Sequence, residues 1–107
     1  LVRPLLKQPG QGPTEAERDN GWFDCKFIVE TESGEKLVFA MHGEGDPGYK
    51  VTSKLVSECA LCLVENAGDL PGGDGYGGVL TSASGLGQAL IARLSKVGIH
   101  FDGPLNT

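Results

Sequence analysis

Two cysteines three residues apart, Cys59 and Cys62, have the CxxC spacing of metal-binding and thiol-exchanging proteins. A zinc site would need two further ligands, and only Cys25, His42 and His100 are left to supply them. A redox CxxC normally begins a helix, where the helix dipole activates the thiol, but this pair falls in the middle of a predicted helix, on its apolar face. We therefore predict that both cysteines are thiols of the core and not metal ligands. A small thiol or zinc protein remains an alternative function for the chain.

The glycine-rich run at 73–78 matches the G-x-G-x-x-G pattern of dinucleotide-binding proteins letter for letter. In those proteins the glycines follow a strand and open a helix, so that the helix N-terminus meets the pyrophosphate. Here the run is expected to open a short strand at 79–80 instead, and Asp69 and Asp74 would repel phosphate. We predict a loop at this place and no cofactor-binding residue in the chain.

Hydroxyl side chains precede a predicted helix at 81–84, where the chain reads Thr-Ser-Ala-Ser. Free backbone amides and hydroxyls at a helix start can hold a carboxylate or a phosphate, although a plain helix cap explains the same residues. On position alone, we predict Thr81, Ser82 and Ser84 as substrate-binding residues. His42 and His100 lie at predicted strand ends with no pattern of nucleophilic catalysis beside them, so no catalytic residue is predicted.

The elements that would position these residues begin with a β-hairpin. Apolar and polar residues alternate over 23–29 and again over 37–41, and a turn sequence with Gly34 joins the two runs. This period of two predicts two antiparallel strands. Val38 and Ala40 make the second strand apolar on both faces, so we expect it to be the more central one.

Two amphipathic helices are predicted after the hairpin. The first runs from about Pro47 to about Asn66 with Asp46 as its N-cap, and the second runs from the hydroxyl-rich run to a stop at Gly98. A last short strand is expected at 99–101, followed by a polar tail. The predicted fold class is α+β, with two helices on one face of a mainly antiparallel sheet that the helical connections allow to be mixed.

Length and charge exclude several classes of protein. The 107 residues suffice for one small domain, and 9 Lys and Arg against 14 Asp and Glu give a net charge of −5. An acidic surface repels phosphate backbones and anionic lipids, so no nucleic acid or membrane partner is expected. No apolar run approaches the roughly 20 residues of a membrane span. Three cysteines without a signal peptide favour a reducing compartment, and we predict a cytoplasmic location.

The chain divides at residue 13. Residues 1–13 contain three prolines and two glycines and are predicted to be a linker or an extended lead-in. Thr14 and Glu17 then have the spacing of a capping box, which marks the start of a short helix. Residues 14–107 are predicted to form a single α+β domain. Because the first residue is Leu1 and not methionine, we expect this domain to be part of a longer protein.

Several stretches of the sequence, spread from about residue 9 to about residue 101, together resemble one family. Their order and spacing are similar to those of the C-terminal domain of saccharopine-dehydrogenase-like oxidoreductases, including the trans-acting enoyl reductases. The stretches are PGQGP at 9–13, GWF at 21–23, GDPGY at 45–49, ECALCL at 58–63, GGVLT at 77–81 and GQAL at 87–90. In such relatives a proline commonly follows the Val-Leu-Thr run, and since Ser82 stands there, the turn is expected to differ slightly.

The resemblance implies an N-terminal Rossmann domain that binds NAD(P), followed by a second α+β domain that closes the substrate cleft and often supplies a subunit interface. We therefore expect this chain to be the C-terminal substrate-side and dimerisation domain of such an oxidoreductase, inactive alone. The expected partners are the Rossmann domain, which this sequence lacks, and a second copy of the chain. NAD or NADP is expected for the full-length parent and no cofactor in this chain. The alternative is a stand-alone interaction module that associates through an exposed sheet edge.

Overall fold

The computed structural model describes residues 8–73 and 75–105. It has the predicted α+β class. Predictions for residues 1–7, which belong to the expected lead-in, for Asp74 and for residues 106–107 lie outside the described residues. The elements in chain order are α1 (Glu15–Asp19), β1 (Trp22–Glu30), β2 (Lys36–Glu44), α2 (Lys50–Glu65), a 3₁₀ turn (Ala67–Asp69), α3 (Ser82–Lys96) and β3 (Ile99–Leu105).

The three strands form one sheet in the order β1-β2-β3, and both pairings are antiparallel. The hairpin pairs Trp22 with Glu44 at one end and Glu30 with Lys36 at the other. Gly34 has a φ of 83° in the turn, a conformation that favours glycine. The predicted hairpin and the central position of its second strand are thus confirmed, and no parallel pair occurs among the described strands.

One core joins the sheet to the two long helices. We call the side of the sheet that carries Phe23, Met41 and Ile99 the inner face, because these residues lie in or against the core, and the side that carries His42 and His100 the outer face. Helix α3 packs against α2 and against β3. The buried residues that pack together are Val51, Cys62, Leu86, Leu90, Leu94 and Ile99.

The strand predicted at 79–80 is wrong. Val79 lies in a bend between the glycine-rich run and α3, and its side chain is fully exposed. Gly78, just before it, has a φ of 145°, far from the negative φ of a strand. Since no described strand lies beside this segment to pair with it, the two apolar residues did not suffice to make a strand.

The first long helix begins at Lys50 and not at Pro47. The Asp46 carboxylate accepts a hydrogen bond from the Tyr49 amide at 2.6 Å, and the Asp46 carbonyl accepts one from the Val51 amide at 2.9 Å. Asp46 therefore caps a turn that leads into the helix, because the chain between Pro47 and Tyr49 folds as a turn.

Strand β3 is longer than predicted and runs to Leu105. It pairs with β2 from the Ile99–Gly43 pair to the Leu105–Val38 pair, with a register shift between Val38 and Ala40. The residues after Phe101 have the composition of a polar tail, but the central strand offers them hydrogen-bond partners. Their pairing with β2 extends the strand.

A half-buried ion-pair network joins α2 to α3. Arg93 Nε donates to Glu58 Oε2 at 2.7 Å, and its Nη1 donates to Glu65 Oε2 at 2.7 Å and to Asn66 Oδ1 at 3.0 Å. These hydrogen bonds, first from Glu65 and then from Glu58, raise the pKa of the Arg93 guanidinium above its ordinary value. The Arg93 and Glu58 side chains are only 17% and 14% exposed, so water screens their pairing weakly.

Replacing Arg93 by methionine is expected to lower the melting temperature by about 5 °C or more, because the poorly hydrated Glu58 carboxylate loses its cation. The matched control is Asp19→Asn, which breaks the exposed pair between Asp19 and Lys50 and should cost less than about 2 °C. Circular dichroism melts of both variants provide the measurement. Equal shifts for the two variants would show that the network between the helices adds nothing specific.

Candidate functional site

The start of α3 borders an open cavity of about 410 Å³. This volume lies within the range of small-molecule sites in proteins. The end of α2, the glycine-rich loop and the first turns of α3 all contribute to its wall. The side chains that matter most for its chemistry are Leu63, Leu70, Tyr76, Leu80, Ser82 and Leu86. The wall is therefore mainly apolar, and Tyr76, Thr81 and Ser82 add hydroxyl groups to it.

The structure brings the three predicted substrate-binding hydroxyls together at the start of α3. The Thr81 and Ser84 side chains form a capping box: Thr81 Oγ1 accepts from the Ser84 amide at 3.2 Å, and Ser84 Oγ accepts from the Thr81 amide at 3.1 Å. Both hydroxyls thus serve the helix. Thr81 and Ser82 both border the cavity, but only Ser82 does so without taking part in this box. Of the three, Ser82 is the one best placed to contact a ligand.

A second cavity of about 370 Å³ lies on the other side of the first turn of α3. Ser82 borders this cavity as well, together with Gln88, Ile91 and Phe101. Phe101 is on the inner face of the sheet, so this cavity lies between one part of α3 and the Phe101 side chain of β3. Ser82 thus stands between two concave and largely apolar surfaces.

The glycine-rich run has no dinucleotide-binding geometry in its described part. It follows the 3₁₀ turn at Ala67–Asp69, and α3 begins only at Ser82, several residues after the last glycine of the run. Gly73, Gly75 and Gly78 have φ values of 66°, 85° and 145°. The run is thus a loop, as predicted, and it forms one wall of the first cavity.

The CxxC cysteines lie in the core side of α2. Cys62 is completely buried, and Cys59 is half-buried and packs against the same core. Burial raises the pKa of the Cys62 thiol above its ordinary value. A neutral, buried thiol in mid-helix is a poor nucleophile and a poor metal ligand. In the described ranges, no three His, Cys, Asp or Glu side chains are grouped so that they could hold a metal ion.

Sequence reasoning missed one polar cluster, on the outer face of the sheet. His42 Nδ1 lies 3.2 Å from Asp102 Oδ2, and the His42 and His100 rings are 5.3 Å apart between centroids. Both partners of the His42–Asp102 pair are about half exposed, so the contact is a weak surface interaction. Only the longer β3 brings Asp102 beside β2, and no local pattern of residues predicts that length.

Within the part of the chain that the structure describes, no helix combines the length and the apolar character needed to cross a bilayer.

Known proteins similar to this chain are oxidoreductase-related. A candidate trans-acting enoyl reductase of Mycobacterium tuberculosis is 37% identical over 99 residues, which are 92% of this chain and 23% of the relative. The trans-acting enoyl reductase of Mycobacterium ulcerans is 32% identical over 95 residues, 89% of this chain and 22% of the relative. The corresponding protein of Mycobacterium bovis is 29% identical over 99 residues, 92% and 23% of the two chains.

The chain thus spans less than a quarter of the length of these curated relatives. No protein-family model matches it. No solved structure matches it either. The similarity extends over 92% of the chain, and it supports a relationship between this chain and the trans-acting enoyl reductases.

Proposed function

We propose that this chain is the C-terminal substrate-side and dimerisation domain of an NAD(P)-dependent oxidoreductase of the saccharopine-dehydrogenase-like, enoyl-reducing kind. The observation that carries the proposal is the 37% identity over 92% of this chain to a relative of which the chain makes up 23%. In this proposal the nucleotide-binding Rossmann domain belongs to the remainder of the longer protein. The cofactor supplies the hydride there, and this domain positions the substrate.

The apolar cavity at the start of α3 is the proposed place for the acyl part of an enoyl substrate. Leu63, Leu70 and Leu80 offer an aliphatic surface. An acyl chain is stabilised by contact with such a surface because its own apolar surface is then removed from water. Ser82 and the free amides of the first turn of α3 could donate hydrogen bonds to the thioester carbonyl. A mainly apolar wall with a few polar groups is the usual composition of a small-molecule site.

Binding of a medium-chain 2-enoyl pantetheine thioester, followed by amide-resolved NMR, tests this site. We expect shifts at Tyr76, Ser82 and Leu86, and we expect Leu63→Lys to abolish them because it places a charge in the apolar wall. Val64→Lys adds the same charge at the neighbouring position of α2, where Val64 is 80% exposed and borders neither cavity. This control should bind like the unmodified chain, and equal loss in both variants would contradict the acyl site.

The absence of a cofactor site in this chain is part of the proposal. Calorimetric titration with NADH and NADPH should give no binding, because the glycine-rich loop opens no helix that could meet a pyrophosphate. A clear titration with micromolar affinity would contradict the assignment of this chain to the substrate side.

A second candidate function is a stand-alone interaction module. The observation that favours it is the apolar edge strand β1, where Trp22 is 74% and Ile28 is 73% exposed. The coding sequence that precedes Leu1 discriminates between the two functions. A strand–G-x-G-x-x-G–helix unit there supports the oxidoreductase, and a nearby start codon supports the module.

We also propose a cytoplasmic location. Cys25, Cys59 and Cys62 are all free thiols, and an oxidising compartment would expose Cys25 to disulfide formation.

A further inference from the structure

Strand β1 is an edge of the sheet with a complete row of outward-pointing backbone groups. Among the described residues, it pairs only with β2. The Thr31 amide donates to the Glu35 carbonyl, and the Gly45 amide donates to the Gly21 carbonyl. Because antiparallel pairs alternate, the odd-numbered residues of β1 bond to β2 and the even-numbered ones point their N–H and C=O groups away from the sheet.

The side chains of β1 make this edge unusually apolar. Trp22 and Ile28 on the outer face are 74% and 73% exposed, and Phe27 and Val29 on the inner face are 48% and 43% exposed. Proteins normally protect a long apolar edge strand with charges, a proline or a covering element, since such an edge associates with other strands. Here the only charges between Trp22 and Glu30 are Asp24 and Lys26.

We propose that two copies of this chain associate by antiparallel pairing of β1 with β1, with Cys25 of both copies on the two-fold axis. The two three-stranded sheets then form one continuous sheet. This inference deepens the dimerisation part of the proposed function by naming the surface and the register. It does not depend on the oxidoreductase part.

Charge pairs and apolar pairs favour the register with Cys25 on the two-fold axis. With Cys25 opposite Cys25, Asp24 of each copy faces Lys26 of the other, Trp22 faces Ile28, and Phe23 faces Phe27. Opposite charges and apolar pairs directly across a ladder each stabilise it. Each of these pairs therefore matches in chemical character and stays on one face of the sheet, and only Val29 and Glu30 at the end of β1 lie beyond the paired residues.

The neighbouring symmetric registers match poorly. A two-fold axis at Lys26 sets two lysines opposite each other and places Asp24 against Ile28. An axis at Asp24 sets two aspartates opposite each other, and an axis at Phe27 places Asp24 against Glu30. Like charges directly opposite destabilise a ladder. An axis at Ile28 pairs Lys26 with Glu30 but leaves Trp22 beyond the end of the ladder.

The register also makes Cys25 a probe of the interface. In this pairing the even-numbered residues exchange the hydrogen bonds, so the two Cys25 residues form a non-hydrogen-bonded pair. The Cα atoms of such a pair lie about 4.5 Å apart, within the range that a disulfide spans. Mild oxidation with diamide should therefore cross-link the chain through Cys25, and Cys25→Ser should abolish the cross-link.

The decisive experiment is a charge swap, measured by analytical ultracentrifugation under reducing conditions. Lys26→Asp sets two carboxylates opposite each other at two places in the interface, because residue 26 of each copy lies opposite Asp24 of the other. It should weaken dimerisation about tenfold or more. The double variant Asp24→Lys with Lys26→Asp restores opposite charges and should restore the dimer. Lys96→Asp, which makes the same charge change at an exposed position at the end of α3 and outside the sheet, is the matched control and should leave the dimer intact.

Each outcome decides for or against the interface. A monomer at all concentrations, a dimer that Lys26→Asp leaves unchanged, or a double variant that stays dissociated while its circular dichroism is unchanged would overturn it. Titration of the Cys25→Ser chain with the enoyl thioester reads the proposed substrate function separately. Failure of the dimer interface and failure of the substrate function can therefore be told apart.

Discussion

Replacing Leu94 by alanine is expected to lower the free energy of unfolding by about 3 kcal/mol. Leu94 is 2% exposed and lies on α3 among the residues that join this helix to α2 and to β3. The alanine removes buried aliphatic surface and leaves a cavity, because the helix cannot move toward one neighbour without leaving another. The measurement is urea denaturation followed by circular dichroism.

The control for this prediction is Val64→Ala, which also shortens an aliphatic side chain in a helix. Val64 is 80% exposed, so its truncation should change the free energy of unfolding by less than about 0.5 kcal/mol. A domain of this size has a total stability of about 5–15 kcal/mol, so Leu94→Ala removes a large part of it. If Leu94→Ala and Val64→Ala unfold at the same urea concentration, the helices do not share the core described here.

The hairpin could be predicted because its signal is local. Alternating apolar residues place every second side chain on the inner face, and Gly34 supplies the positive φ that the turn requires. The central position of β2 could also be predicted, because this strand has apolar residues on both of its faces. Ala40 points to the outer face but is only 8% exposed, since the strands on both sides shield it.

The errors lie where distant residues decide the local structure. The length of β3 depends on its register against β2, where Gly103 packs against the Phe39 ring. The missing strand at 79–80 depends on the absence of a neighbouring strand in the described sheet. No pattern within either segment carries this information, because the partners are far away in the chain.

The candidate site could be predicted only in its polar part. The run at 81–84 has the local composition of a helix start, and the capping box of Thr81 and Ser84 is there. The cavity beside it is built from the end of α2, the loop after it and the start of α3. The proposal that Ser82 is the hydroxyl that contacts a ligand therefore needed the folded structure.

The prediction that best tests how α3 meets this cavity is Gly87→Ala, expected to destabilise the fold by about 3 kcal/mol. Gly87 interrupts α3 with a φ of 49° and a ψ of −135°, values that other residues adopt only with strain. A Cβ built on it would lie 2.7 Å from Pro71 Cγ, so the methyl group would also displace the loop that borders the cavity. Urea denaturation measures the loss of stability.

Two variants separate the causes of this effect. Gly85→Ala lies two residues earlier, where a Cβ would contact only Leu80 at an ordinary 3.5 Å and φ is not positive, so it should be neutral or stabilise by up to about 1 kcal/mol. In a Pro71→Ala background, Gly87→Ala should lose its steric part and keep the part due to φ. If Gly87→Ala costs no more than Gly85→Ala, the helix is continuous at this position and the loop does not pack on it.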